Sequence, residues 1–245
     1  MVRTSYSSGF TIIEVMLFLA ISGLMVVGMF VGISGSINRQ RYEDAVYSFQ
    51  DYMQGQYNLV DNVRNNHDDI RVCRGGNIVE DMANRESRGT SQDCTIVGRL
   101  ITTTDGRRFV SEPVFSTNSA LDTTHGETAL LNSLQLTTAS VASDSEDYQL
   151  SWNTRVYTDK AHRDASHTAQ LLILRMPDSG IVRTYFRTAT VGLLNEFWSG
   201  TPPAEMALCV EPDGLIKSNP TGVRVLAKAV NANSVQFISA GAGTC

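Results

Sequence analysis

Gly9-Phe10-Thr11-Ile12-Ile13-Glu14 opens a run in which the next 24 residues, Val15 to Asn38, carry no charged side chain. A helix needs roughly 20 apolar residues to cross a hydrocarbon core of about 30 Å, so this run is long enough to span a membrane. Glu14 lies inside the apolar block, one helical turn from its start. A carboxylate in the bilayer costs roughly 2.5 to 3.5 kcal/mol on insertion scales and normally has a partner. A free α-amino group at Phe10, made by cutting after Gly9, would supply one.

The same six residues resemble the class III signal of the type IV pilin and pseudopilin superfamily: Gly, Phe, Thr, two aliphatics and Glu ahead of an apolar helix. The resemblance covers about the first 30 residues and nothing beyond them. It implies a prepilin peptidase that cuts between Gly9 and Phe10 on the cytoplasmic side and N-methylates Phe10. It gives Glu14 the role of neutralising the terminal amine of a neighbouring subunit during assembly. Other pilin subunits and the inner-membrane assembly machinery follow as partners. So does a single pass through the cytoplasmic (inner) membrane, with the globular part outside the cytoplasm, and later a place in a cell-surface or periplasmic filament. The expected function is that of a structural minor pilin or pseudopilin in a type IV pilus or a related secretion or DNA-uptake filament.

An ordinary secretory signal peptide has a shorter apolar region followed by a small-x-small cleavage site. Ser34-Gly35-Ser36 offers the site, but the apolar run before it is too long and contains Glu14. The alternative that length alone satisfies is an uncleaved, signal-anchored envelope protein with an extracytoplasmic binding domain. Flanking charge does not fix the orientation, because Arg39 and Arg41 follow the segment and Arg3 precedes it. Gly28-x-x-x-Gly32 has the spacing of a close helix-packing face. No proline precedes Pro113, so Gly28 to Gly35 is where the segment would loosen in a filament.

Past Asn38 the pattern becomes amphipathic. Tyr42, Val46, Phe49, Met53, Tyr57, Val60 and Val63 recur at steps of three and four, with Arg41, Glu43, Asp44, Gln50, Asp51 and Gln54 elsewhere. One helix from Phe10 to about Arg64 is expected, roughly 80 Å at 1.5 Å per residue. Its stripe should pack under a C-terminal sheet, and the Asn- and Asp-rich stretch Asn62 to Asp69 should end it.

Beyond Ile70 the apolar runs are short and separated by turn residues. Thr95 to Thr104 and Phe109 to Phe115 read as a hairpin around Asp105-Gly106-Arg107-Arg108, and Gln170 to Met176 and Ile181 to Arg187 as strands around Pro177-Asp178-Ser179-Gly180. Tyr148 to Thr158, Met206 to Val210, Gly222 to Lys228 and Ser234 to Ser239 are further expected strands, Pro212-Asp213-Gly214 a turn, and Glu127 to Leu136 a short helix. Thr117 to Gly126, Thr137 to Asp147 and Asp159 to His167 read as loops. Short turns require mainly antiparallel pairing. The expected fold class is α+β, a long N-terminal helix on a C-terminal antiparallel sheet, similar to the type IV pilins. Its divisions are a leader at 1–9, the transmembrane half of the helix at 10–38, its amphipathic half at 39–66, and an extracytoplasmic β-rich domain at 67–245.

Four cysteines, Cys73, Cys94, Cys209 and Cys245, allow three complete pairings. The local scheme joins Cys73 to Cys94 and Cys209 to Cys245. The second pair would resemble the disulfide-bounded C-terminal region of many type IV pilins. Oxidised pairs belong outside the cytoplasm. Zinc ligation has no Cys-x-x-Cys or Cys/His cluster behind it, and no cofactor is expected.

Enzymatic chemistry finds little support. His162 and His167 are five apart in a polar loop, which reads as solvated surface. His67-Asp68-Asp69 reads as an acidic helix end, and Arg74-Gly75-Gly76 matches no phosphate-binding pattern. No nucleophile-elbow Gly-x-Ser-x-Gly is present. No small-molecule substrate is expected, and the chain is read as a non-enzyme. The net charge of −5 argues against a generally basic nucleic-acid surface. Arg71, Arg74, Arg85, Arg88, Arg99, Arg107 and Arg108 form the densest basic portion, diluted by Glu80, Asp81, Glu86, Asp93 and Asp105 and without stacking aromatics, so DNA is the lesser candidate partner. Phe197-Trp198-Ser199-Gly200-Thr201-Pro202-Pro203 would meet a neighbouring subunit if exposed, but core packing of Trp198 is the simpler expectation.

Overall fold

The computed structural model describes residues 9–62, 71–74, 77–80, 95–118, 122–138, 145–199, 203–211, 220–239 and 245, with main chain alone at 71–74 and 77–80. The leader before Gly9, Val63, His67-Asp68-Asp69, Arg85, Arg88, Cys94 and Pro212-Asp213-Gly214 lie outside the described residues, as do the side chains of Arg71, Cys73 and Arg74. The chain falls into two compact units, Met1–Arg41 and Tyr42–Cys245. One helix, α1 (Ile12–Asp61), crosses that division without interruption and ends a few residues earlier than the pattern suggested.

In the first unit α1 is apolar on all sides and unburied, and it has the length and composition of a candidate membrane anchor. Two of its hydroxyls bond backward along their own helix, Ser22 Oγ to the Leu19 carbonyl and Ser34 Oγ to the Phe30 carbonyl. The helix continues through Gly28 and Gly32, and a Cβ added at either would meet no atom within 4 Å.

In the second unit the expected stripe is buried: Tyr42, Val46, Phe49, Met53, Tyr57 and Val60 are each 4% exposed or less, joined by Ala45 and Gln56. Burying a side chain of this size contributes about 1.5 to 3 kcal/mol, so six of them outweigh the helix's weak local propensities. At its end Arg175 donates through Nη1 to the Asp61 carbonyl at 2.5 Å, satisfying one of the acceptors a helix C-terminus leaves open.

Every strand pairing among the described residues is antiparallel, but the strands form more than the single sheet expected. β1 (Arg71–Arg74) and β2 (Asn77–Glu80) make a small hairpin. A six-stranded sheet runs in the order β5 (Leu136–Thr138), β4 (Arg108–Ser116), β3 (Thr95–Thr103), β8 (Ala169–Arg175), β9 (Val182–Arg187), with β6 (Glu146–Gln149) also on β4. A four-stranded sheet runs β12 (Val235–Ile238), β11 (Thr221–Leu226), β10 (Glu205–Glu211), β7 (Arg155–Tyr157).

The α1 stripe shares one core with both larger sheets: Ile101, Phe109, Leu171, Ile173 and Phe186 from the first, Leu208, Val210, Val223, Val225 and Val235 from the second. On the six-stranded sheet's other face Val97, Val114, Leu172 and Leu174 pack with Leu130 and Leu131 of helix α2 (Glu127–Ser133). β8 is therefore buried on both faces, Leu171 and Ile173 toward α1 and Leu172 and Leu174 toward α2. Its continuous apolar run has that cause.

The β3–β4 hairpin forms as expected. The Asp105 carboxylate accepts the Arg107 and Arg108 amides at 2.9 Å each, and Gly106 takes a left-handed φ of 69°. An added Cβ there would fall 2.2 Å from the Val156 carbonyl oxygen, so the turn needs glycine for both backbone and space. Pro113 sits where β4 has no outer partner, between its pairings with β6 (to Ser111) and β5 (from Val114). A residue without an N–H is tolerated there.

Two expectations need correction. Tyr148 to Thr158 is not one strand: β6 and β7 are separated by a tight turn at Ser151–Asn153 in which Trp152 and Asn153 both have φ of 59°, and they belong to different sheets. The helix expected to Leu136 stops at Ser133, because Gln135 turns left-handed at φ 47° and Leu136 begins β5. β5 and β6 also take the two ends of the expected 137–147 loop.

Candidate functional site

Thr11 and Glu14 form a reciprocal pair at the start of α1. Thr11 Oγ1 accepts the Glu14 amide at 3.3 Å, while Glu14 Oε2 accepts the Thr11 amide and the Thr11 hydroxyl at 3.1 Å each. The first turn closes with the Val15 amide donating to the Thr11 carbonyl at 3.2 Å. This is a capping box, in which a Thr and a Glu three residues apart satisfy each other's orphan amides. It was readable as Thr-x-x-Glu before an apolar run. Among the described residues no hydrogen bond reaches Glu14 Oε1. A cap of this kind contributes about 1 kcal/mol, less than the roughly 2.5 to 3.5 kcal/mol that burying the carboxylate in lipid costs. In a bilayer Glu14 would therefore still need a partner or a position at the membrane surface. Phe10 is 85% exposed just ahead of it.

In the second unit three buried side chains of α1, Tyr42, Tyr57 and Gln56, hydrogen-bond to the sheets. Tyr42 Oη donates to the Val210 carbonyl at 2.8 Å and accepts the Thr221 amide at 2.7 Å, entering the rung where β10 and β11 pair Val210 with Thr221. Tyr57 Oη stands 2.8 Å from Thr184 Oγ1, which donates to the Ala229 carbonyl at 3.0 Å, so the hydrogen between the two hydroxyls belongs to Tyr57. Burial pushes the Tyr57 phenol up from its usual range, which keeps it a donor. Buried Gln56 accepts the Ser111 hydroxyl at 2.6 Å and donates to Glu146 at 2.6 Å, while Arg99 Nε donates to the same Ser111 Oγ at 2.7 Å. None of these pairings was legible from sequence spacing, because each joins residues 55 or more apart or depends on one that does.

Cys209 of β10 and Cys245 stand at disulfide distance, Sγ to Sγ 2.13 Å and Cα to Cα 5.6 Å. Tyr157 packs beside them and donates its hydroxyl to the Cys245 carbonyl at 3.3 Å, and Arg163 lies 5.3 Å over its ring. The Cys73–Cys94 pairing falls outside the described residues.

The remaining candidates scatter. His162 is solvated and held by Asp159 at 2.7 Å, an interaction that keeps the Asp159 carboxyl below its usual range. His167, expected at the surface, is instead half-buried and donates from Nδ1 to the Val156 carbonyl at 2.8 Å. Of the basic portion, Arg99 is spent on Ser111, and Arg108 reaches Asp147 at 2.5 Å. Trp198 is half-buried, edge-on to Tyr185 at 6.1 Å, with Nε1 donating to Asn132 at 2.9 Å, and Phe197 is fully buried. Among the described residues no group of three or more His, Cys, Asp or Glu converges as a metal site.

Together these features define an α+β protein with a candidate N-terminal membrane anchor, laid out like a pilin: a long apolar helix whose second half packs on antiparallel sheet. No protein-family model, curated protein or solved structure matches the chain.

Proposed function

We propose that this chain is a minor pilin or pseudopilin, a structural subunit of a type IV pilus or a related secretion or DNA-uptake filament. The observation that carries the reading is Glu14, an acid at the head of an apolar helix whose own capping box leaves Oε1 without a partner. In this reading a prepilin peptidase cuts between Gly9 and Phe10 and methylates Phe10. The apolar half of α1 is held in the inner membrane until the assembly machinery draws the subunit into the filament. There the amine of a neighbouring subunit meets Glu14 and supplies the stabilisation that the cap does not. The Cys209–Cys245 pair agrees with a globular unit outside the cytoplasm.

Mass spectrometry of the N-terminal peptide tests this directly. A chain beginning at N-methylated Phe10 is expected, and Gly9→Leu should block the cut. A chain still beginning at Met1 in cells with an active prepilin peptidase overturns the reading.

A second reading, an uncleaved anchor with an extracytoplasmic binding domain, draws on the same helix. Val15 to Asn38 alone spans about 36 Å at 1.5 Å per residue, more than the hydrocarbon core requires. Glu14 would then sit at the membrane surface as nothing more than a cap. Glu14→Gln separates the two readings: filament entry should fail in the first, and membrane retention should be unchanged in the second.

A further inference from the structure

We draw no further inference here: the strongest candidate, the exposed aromatic patch where Tyr47 of α1 stacks on Phe237 of edge strand β12 with ring centroids 5.4 Å apart, carries none because nothing in the structure shows what covers it.

Discussion

Replacing Thr184 by Val should destabilise the second unit more than replacing both Thr184 and its partner Tyr57. Thr184 is 1% exposed, and its single hydroxyl serves two neighbours, accepting from Tyr57 at 2.8 Å and donating to the Ala229 carbonyl at 3.0 Å. Valine keeps the shape and removes both bonds, leaving a buried phenol and a buried carbonyl without partners. Each orphan costs about 1 to 3 kcal/mol, so Thr184→Val should cost about 2 to 6 kcal/mol. Tyr57→Phe removes only a donor and leaves the Thr184–Ala229 bond in place, at about 1 kcal/mol. In Tyr57→Phe/Thr184→Val only the Ala229 carbonyl is stranded, and the cost returns to about 1 to 3 kcal/mol. Urea unfolding of the full-length chain in detergent, followed by the fluorescence of Trp152 and Trp198, measures all four species. A double variant no more stable than Thr184→Val alone refutes the shared-hydroxyl account.

Four further outcomes are expected. Gly55, in α1 with no atom within 4 Å of an added Cβ, should gain about 0.5 to 1 kcal/mol on replacement by Ala. Gly106→Ala, left-handed and against the Val156 carbonyl, should lose more than about 1 to 2 kcal/mol in the same unfolding assay. Cys209→Ser, or reduction, opens a link across 36 residues and should cost about 4 kcal/mol by chain entropy, read as a fall in thermal midpoint. Glu127 accepts the Tyr185 hydroxyl at 2.5 Å, which holds its carboxyl below the usual range against the opposing effect of burial, with Lys228 at 3.3 Å adding to the lowering. Its folded value is the lower one, so its contribution is complete above about pH 4.3 and is lost as pH falls through the folded value. Glu127→Gln should remove that part of the acid dependence, measured as thermal midpoint from pH 6 to 3.

The helix was the most legible element, because Tyr42, Val46, Phe49, Met53, Tyr57 and Val60 repeat at helical spacing and the repeat survives whatever lies opposite. The β3–β4 hairpin was legible for a local reason, since Asp105 and Gly106 make the turn with their own side chain and backbone. The break within Tyr148 to Thr158 was not. Alternation reports which residues face inward, and it cannot tell that Tyr148 pairs in one sheet and Val156 in another. A chain that changes sheets needs a sharp corner, and Trp152 and Asn153 take left-handed angles that no periodicity signals. At the candidate site, Thr11 and Glu14 stood in a recognisable capping order. His167 looked like solvated surface because its partner, the Val156 carbonyl, is set by where β7 comes to lie.

That contact bears on how copies of the chain meet. β7 closes one side of its sheet, and the two Val156 groups turned away from β10 are already taken, its amide by the Gly106 carbonyl at 2.7 Å and its carbonyl by His167. A foreign strand arriving on that flank finds neither a donor nor an acceptor at the middle residue. Crowded at high local concentration, the protein is thereby guarded on this border against runaway strand-on-strand growth.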